Sequence, residues 1–247
     1  MNPGPVAAAT VTDMPARPTR RTSVSPSDRL PQRPRLPASL ELATLPDHEL
    51  EGEATFRGLA FDADLSGRTA EAVEFDQCRF RAADLSGTAM DRARLVDCLI
   101  ERTNLANLHT DRSSMRRVRI DSSRMTGLRW IDGSLRDVAV AECRADLAVF
   151  RFTEFRQVRF EACNLTRADF ANADLSGVQF INCDLTGAQF SQATMTGARF
   201  RGCTLIGIGG VTSFDGAIIA GQDLVALSYT LAAALGIQIE DTDTTTA

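Results

Sequence analysis

The chain contains no lysine; all 27 of its basic residues are arginine. That preference by itself points to no function. Histidine is almost absent too, with two among 247 residues, and there is one tryptophan and one tyrosine. His48 and His109 stand in no arrangement that would hold a metal or move a proton. No apolar run approaches the roughly 18 residues of a membrane-spanning helix. No compact apolar run follows a basic segment at the N-terminus, which argues against a signal peptide and for a cytoplasmic protein. A Gly-rich phosphate loop is missing. Asp62-Ala63-Asp64 begins like a calcium loop, but the later Gly and Glu do not follow at the required spacing. With no catalytic constellation, the expectation is a protein that is not an enzyme, with no cofactor and no metal. Proline is missing after Pro46. Residues 1–40 instead concentrate Pro, Arg, Ser and Thr, with six Arg against two Asp, the composition of a disordered tail.

What fills the remainder is a period of five. Every fifth residue from Leu65 to Leu205 is large and apolar, with Ala70, Thr110 and Ala145 the exceptions. Two residues earlier sits a smaller apolar residue: Ala83, Cys98, Val118, Cys163, Ala168. Asp, Asn, Arg or Gln stands between the two, and Ser or Thr, then often Gly, follows, as in Ala83-Asp84-Leu85-Ser86-Gly87. Five matches neither the helical nor the strand period. A short period held this long means a solenoid. Two inward residues in five suit a short bridge and a turn, so each unit makes one side of a coil, and four sides close at 20 residues. Volume balance agrees: Trp130 shares its coil with Gly133 in a small slot, and Thr110 lies directly below it.

The units resemble the pentapeptide-repeat family, with its pattern A(D/N)LXX, over roughly residues 54–219. The resemblance implies an all-β solenoid, a right-handed quadrilateral parallel β-helix of about seven coils, followed here by a C-terminal α-helix. The expected organisation is a tail over 1–40, a cap over 41–62, the β-helix over 63–219, a capping and dimerisation helix within 220–239, and a polar tail over 240–247. Gln222 to Leu235 reads as a helix closed by Gly236. It has no charged face, so one side is expected to seal the last coil and the other, with Val225, Tyr229 and Ala232, to pair with a second copy.

All six cysteines occupy the small inward slot, and Cys143, Cys163, Cys183 and Cys203 fall 20 apart. They are expected to be reduced and buried, and a serine there to lack a partner and cost about 1–3 kcal/mol. Outward residues 20 apart also stack. Glu71, Asp91 and Asp111 form an acidic column; Arg116, Arg136 and Arg156 form a basic one, with Arg119 and Arg159 nearby. Residues 51–111 hold 12 acids and seven Arg, whereas 112–159 hold 11 Arg and six acids, so the rod changes sign along its length. Stacked like charges repel, and the compensation is either local, from Asp137 and Glu154, or an anionic partner. Ile131, Leu147, Val149 and Phe152 place apolar side chains in outward slots; Leu147 could equally turn inward beside Ala145.

The expected function is therefore a binding or scaffold protein that uses the outer faces of a rigid rod for protein–protein interaction, as a homodimer. The partner is not identified, and neither membrane nor direct nucleic-acid binding is expected. The family resemblance implies an alternative. Some members mimic DNA, bind DNA gyrase and dimerise through a C-terminal helix. Duplex DNA is uniformly negative along its length, and this chain departs from that with its Arg-rich middle.

Overall fold

The computed structural model describes residues 29–44 and 47–238. Pairing is parallel at a spacing of 20 residues: Met115, Leu135 and Phe155 stand in register, as do Ile120, Val140 and Phe160. Four ladders run along the rod. One is a series of single bridges through Asp64, Asp84, Asn104 and Arg124. The others pass through Ala70 and Met90, through Phe75 and Leu95, and through Phe80 and Ile100. Most sides of a coil offer one to three residues to their ladder, and only Ser114–Asp121, Ser134–Ala141 and Glu154–Glu161 run through a corner as strands of eight.

The five-residue rule has a local cause at each slot. The Asp or Asn before the large residue turns its carboxyl or amide oxygen onto the N–H two residues on: Asp84 Oδ1 accepts from Ser86 at 2.8 Å, Asn164 from Thr166 at 2.9 Å, and Asp174 from Ser176 at 3.0 Å. This is the turn-forming bond that Asx residues make readily. Two residues after the large one the backbone turns left-handed, which is why Gly67, Gly87, Gly127 and Gly187 recur there. Asn107, Asp97 and Arg117 take the same conformation at an energetic cost that the ladders on either side offset.

The inward residues make one continuous core. Phe150, Phe170 and Phe190 stack at 5.3 Å between rings, and Phe160, Phe180 and Phe200 form a second stack at 5.3 and 5.0 Å. Neighbouring members of the two stacks meet edge to face, Phe170 against Phe180 at 5.8 Å, a favoured aromatic geometry. All six cysteines are free and buried. Burial holds the Cys78 thiol up at about 11 and pushes Cys98 higher still. Where a small slot holds Cys, Ser or Thr, its side chain usually also meets a carbonyl in the coil below. Cys163 Sγ lies 3.5 Å from the Val140 carbonyl, while Ser113 and Thr153 place hydroxyls on the Met90 and Trp130 carbonyls at 3.2 and 2.9 Å. The expectation that a serine would lack a partner is thus corrected: the slot accepts a hydroxyl. Cys163→Ser is expected to change stability by no more than about 1 kcal/mol, read from the midpoint of denaturant unfolding.

The solenoid makes about nine turns rather than seven. The two extra turns come from the ends. Glu41–Leu42 pairs with Leu59–Phe61, and Thr55–Arg57 pairs with Glu74–Asp76, with Phe56 opposite Phe75. Phe61 stands opposite Phe80. These coils have 18 or 19 residues instead of 20, so their large residues fall out of the five-residue frame while still stacking. Phe214 does the same at the other end, lying on Phe200 at 5.3 Å.

The rod closes with α1 (Leu224–Ala234). Just before it, buried Asp223 accepts the Cys203 N–H at 3.1 Å. Ser113 does the same for Ala93 at 2.8 Å inside the body, so Asp223 stands in for the next rung. Leu227 is buried on the last coil and Leu231 packs partly against it. Leu235 ends the helix, and Gly236 follows with φ 70°. The alternation of Ile237 and Ile239 reads in the sequence as a short strand, but Ile237 forms none; Ile239 and the tail over 240–247 lie outside the described residues.

Candidate functional site

The basic column is real in register: Arg116, Arg136 and Arg156 face one another across successive coils. Arg156 is met by Asp174 at 2.7 Å and by Glu154 at 4.0 Å. Arg116 and Arg136 have no ion pair among the described residues. Arg119 and Arg159, by contrast, are held by Asp121 at 2.6 Å and Glu161 at 2.8 Å, each two residues away on the same strand. Arg119 is pushed above its ordinary range chiefly by the hydrogen bond to Asp121. The five arginines therefore divide: two are neutralised along their own strand, one by the coil above, and two are left to solvent.

The acidic column has its own answers. Glu71 stands opposite Asp91, and Arg92 reaches Glu71 in a close ion pair. Asp91 accepts the Asp111 N–H at 3.1 Å, and Arg112 lies 3.5 Å from Asp111. Asp137, expected as a counter-ion to the arginines, does something else. It is buried at 4% exposure and accepts the backbone N–H of Gln32 at 3.1 Å.

The apolar group separates. Phe152 is 54% exposed and Leu147 is 52% exposed, so Leu147 does not turn inward; Ile131 and Val149 are half-buried. Ala145 is fully buried without Leu147 turning inward. Both exposed residues sit in left-handed corner slots, Leu147 at φ 60° and Phe152 at φ 58°. Elsewhere those slots hold Gly, polar residues or Ala, because a bulky side chain there is costly.

On α1, Val225 and Tyr229 are exposed at 67% and 60%, one turn apart, and Ala232 is half-buried. Residues 29–40, expected as part of a tail, instead lie along the rod. Arg35 donates its N–H to Asp97 at 3.0 Å, and its carbonyl accepts from Gln77 Nε2 at 2.9 Å. Composition alone hid this contact, since a Pro/Arg-rich segment reads as unstructured unless its acceptors are known. Burial tends to raise the Asp97 carboxyl, but hydrogen bonds from Arg117 and from the Arg35 N–H outweigh it and hold Asp97 below the usual carboxylate range. Residues 1–28 lie outside the described residues. No described helix is long and apolar enough to cross a membrane.

Residues 115–190 match a family model described as a pentapeptide repeat region, and residues 61–97 and 173–208 match the model for pentapeptide repeats. No curated protein matches the chain. Among solved structures it is similar to a trypsin-treated form of QnrB1, a plasmid-mediated fluoroquinolone resistance protein. The identity is 17%, over 76% of this chain and 99% of that one, with a TM-score of 0.25. It is also similar to the pentapeptide repeat protein Rfr23 of the cyanobacterium Cyanothece 51142, at 11% identity over 70% and 94% of the two chains, with a TM-score of 0.17.

Proposed function

The chain belongs to the pentapeptide-repeat family, and from that premise we propose that it is a non-enzymatic scaffold that presents the sides of its rod to an acidic protein partner. The observation that carries this reading is the pair Arg116 and Arg136. They stand in register on one face with no counter-ion among the described residues, although like charges stacked across a rung repel. A partner carboxylate set between them would remove that cost. Leu147 and Phe152, exposed at corners where large side chains are unfavourable, supply apolar contact within the adjoining coils. Binding is expected to weaken steeply as salt rises, since exposed charges are screened within about 10 Å at 0.1 M. Replacing Arg136 by Ala is expected to lower the affinity for a partner captured from host extract about tenfold and to flatten the salt dependence. A complex indifferent to both salt and Arg136→Ala would refute the acidic-partner reading. The same arginines weigh against DNA mimicry of the gyrase-binding kind, because a positive band interrupts the negative faces.

The second element of the reading is a homodimer through α1. Val225 and Tyr229 form an exposed apolar edge beside Leu235, which is 76% exposed, and a twofold pairing of identical helices is the simplest cover. Val225→Glu with Tyr229→Glu is expected to give a monomer with unchanged far-ultraviolet circular dichroism, as read by sedimentation velocity. A native protein that sediments as a monomer at micromolar concentration would exclude the dimer.

A further inference from the structure

The strap over residues 30–37 follows a register that the rod itself sets. Gln32 and Arg35 donate their backbone N–H groups to Asp137 and Asp97. The donors are three residues apart; the acceptors are 40 residues apart, which is two coils. Coils stack at about 4.8 Å, so the acceptors are separated by about 9.6 Å. Three residues of polyproline II span about 9.3 Å. The two repeats match to within a few tenths of an ångström, so a segment in that conformation meets one carboxylate per turn.

The sequence of the strap suits that conformation. Leu30-Pro31-Gln32-Arg33-Pro34-Arg35-Leu36-Pro37 places proline at every third position. The two residues that must donate, Gln32 and Arg35, each follow a proline and are not prolines themselves. Pro31 and Pro34 are half-buried, whereas Gln32, Arg33 and Arg35 are exposed. The rod therefore reads backbone N–H groups and proline rings, not the side chains of the residues that donate. Charge agrees, because a strap with Arg33 and Arg35 lies on Asp97 and Asp137. Between those acceptors Arg117 steadies the track by donating to Asp97 through Nε at 2.6 Å. Along the same column the positions beyond Asp137 are Gln157 and Gly177, and the one before Asp97 is Gln77. The track thus has two carboxylates and the length of one strap.

We propose that the Asp97–Asp137 column is a binding track for a proline-spaced, basic segment in polyproline II conformation, occupied in cis by residues 30–37 and thereby closed to an equivalent segment in trans. The proposal stands apart from the acidic-partner reading, since it uses neither Arg116 nor Arg136. A strap tethered to the rod competes at an effective concentration in the millimolar range, so a free peptide at micromolar concentration cannot displace it. The track becomes available when the strap loses its two N–H donors.

The test uses the full chain with Gln32→Pro and Arg35→Pro. Those substitutions delete both donors and keep the extended conformation that proline favours. The probe is a fluorescein-labelled peptide copying residues 29–38, followed by polarisation. The released variant is expected to bind it at least tenfold more tightly than the unmodified protein. Adding Asp137→Ala to the released variant is expected to reverse that gain, and a peptide carrying the two prolines should bind neither protein. Unchanged circular dichroism and Trp130 emission confirm that each variant is folded. Equal binding to the released and unmodified proteins, or no binding to a released variant whose Arg29–Leu30 bond trypsin cuts at least tenfold faster than in the unmodified protein, overturns the proposal. An Arg29–Leu30 bond cut no faster in the variant overturns it as well, because the strap would then not be held by these two bonds.

Discussion

Phe170→Ala is expected to cost about 3–5 kcal/mol, the range of aromatic truncations in close-packed cores. Phe170 has no exposed surface, lies between Phe150 and Phe190 at 5.3 Å from each, and meets Phe180 edge to face. Removing the ring opens the centre of both stacks. The surrounding coils cannot close the gap, because each backbone is fixed to the coil above and below: Phe170 donates to the Gln189 carbonyl at 2.8 Å and Asp169 donates to that of Ala148 at 2.8 Å. The transfer loss and the cavity loss therefore add. Phe152→Ala serves as the comparison. Its ring is 54% exposed and its backbone already left-handed, so the change is expected to stay within about 0.5 kcal/mol. Denaturant midpoints at unchanged slope read both effects. A cost below about 1.5 kcal/mol for Phe170→Ala would mean that the stack is not close-packed.

The contrast between Phe170 and Phe152 was legible in the sequence, because slot number alone assigns one ring inward and the other outward. The same frame located the cysteines and the Arg116–Arg136–Arg156 column, and the apolar stretch closed by Gly236 located the helix. The frame failed where coils change length. Phe56 and Phe61 lie one residue out of the five-residue frame, within the span expected as a cap, yet they stack on Phe75 and Phe80 at 5.3 and 4.9 Å. A 19-residue coil keeps the stack and breaks the count, and no single-period template registers that. The strap was invisible for a different reason. Its fit depends on the distance between Asp97 and Asp137, a property of the folded rod and not of residues 30–37. Asp137 then appeared free to neutralise arginines when its carboxylate was already engaged by Gln32. Leu147 was undecided because side-chain direction in a corner slot follows from the left-handed backbone, which periodicity does not report.

Gly133→Ala carries the second large effect, for a reason written into one coil. Gly133 occupies a small slot, but even one methyl group does not fit. A Cβ at this position would fall on Trp130 Nε1 and lie 2.8 Å from Trp130 Cδ1 and 2.6 Å from the Ser113 carbonyl oxygen. Trp130 is buried at 2% exposure, and the Ser113 carbonyl accepts the Ser134 N–H at 3.0 Å, so neither can move freely. Overpacking of this kind costs about 1–3 kcal/mol, and two rigid neighbours put the expected loss at the upper end, about 3 kcal/mol. The indole is one of the two obstacles, which makes the effect divisible. Trp130→Phe removes the pyrrole edge and its Nε1, an N–H with no hydrogen-bond partner among the described residues. In that background Gly133→Ala is expected to cost about 1 kcal/mol or more less than in the native chain, a coupling of the size that contacting residues show. A double-mutant cycle from denaturant unfolding measures it. Strict additivity would assign the whole penalty to the Ser113 carbonyl and would refute the view that Gly133 is kept small to seat the indole.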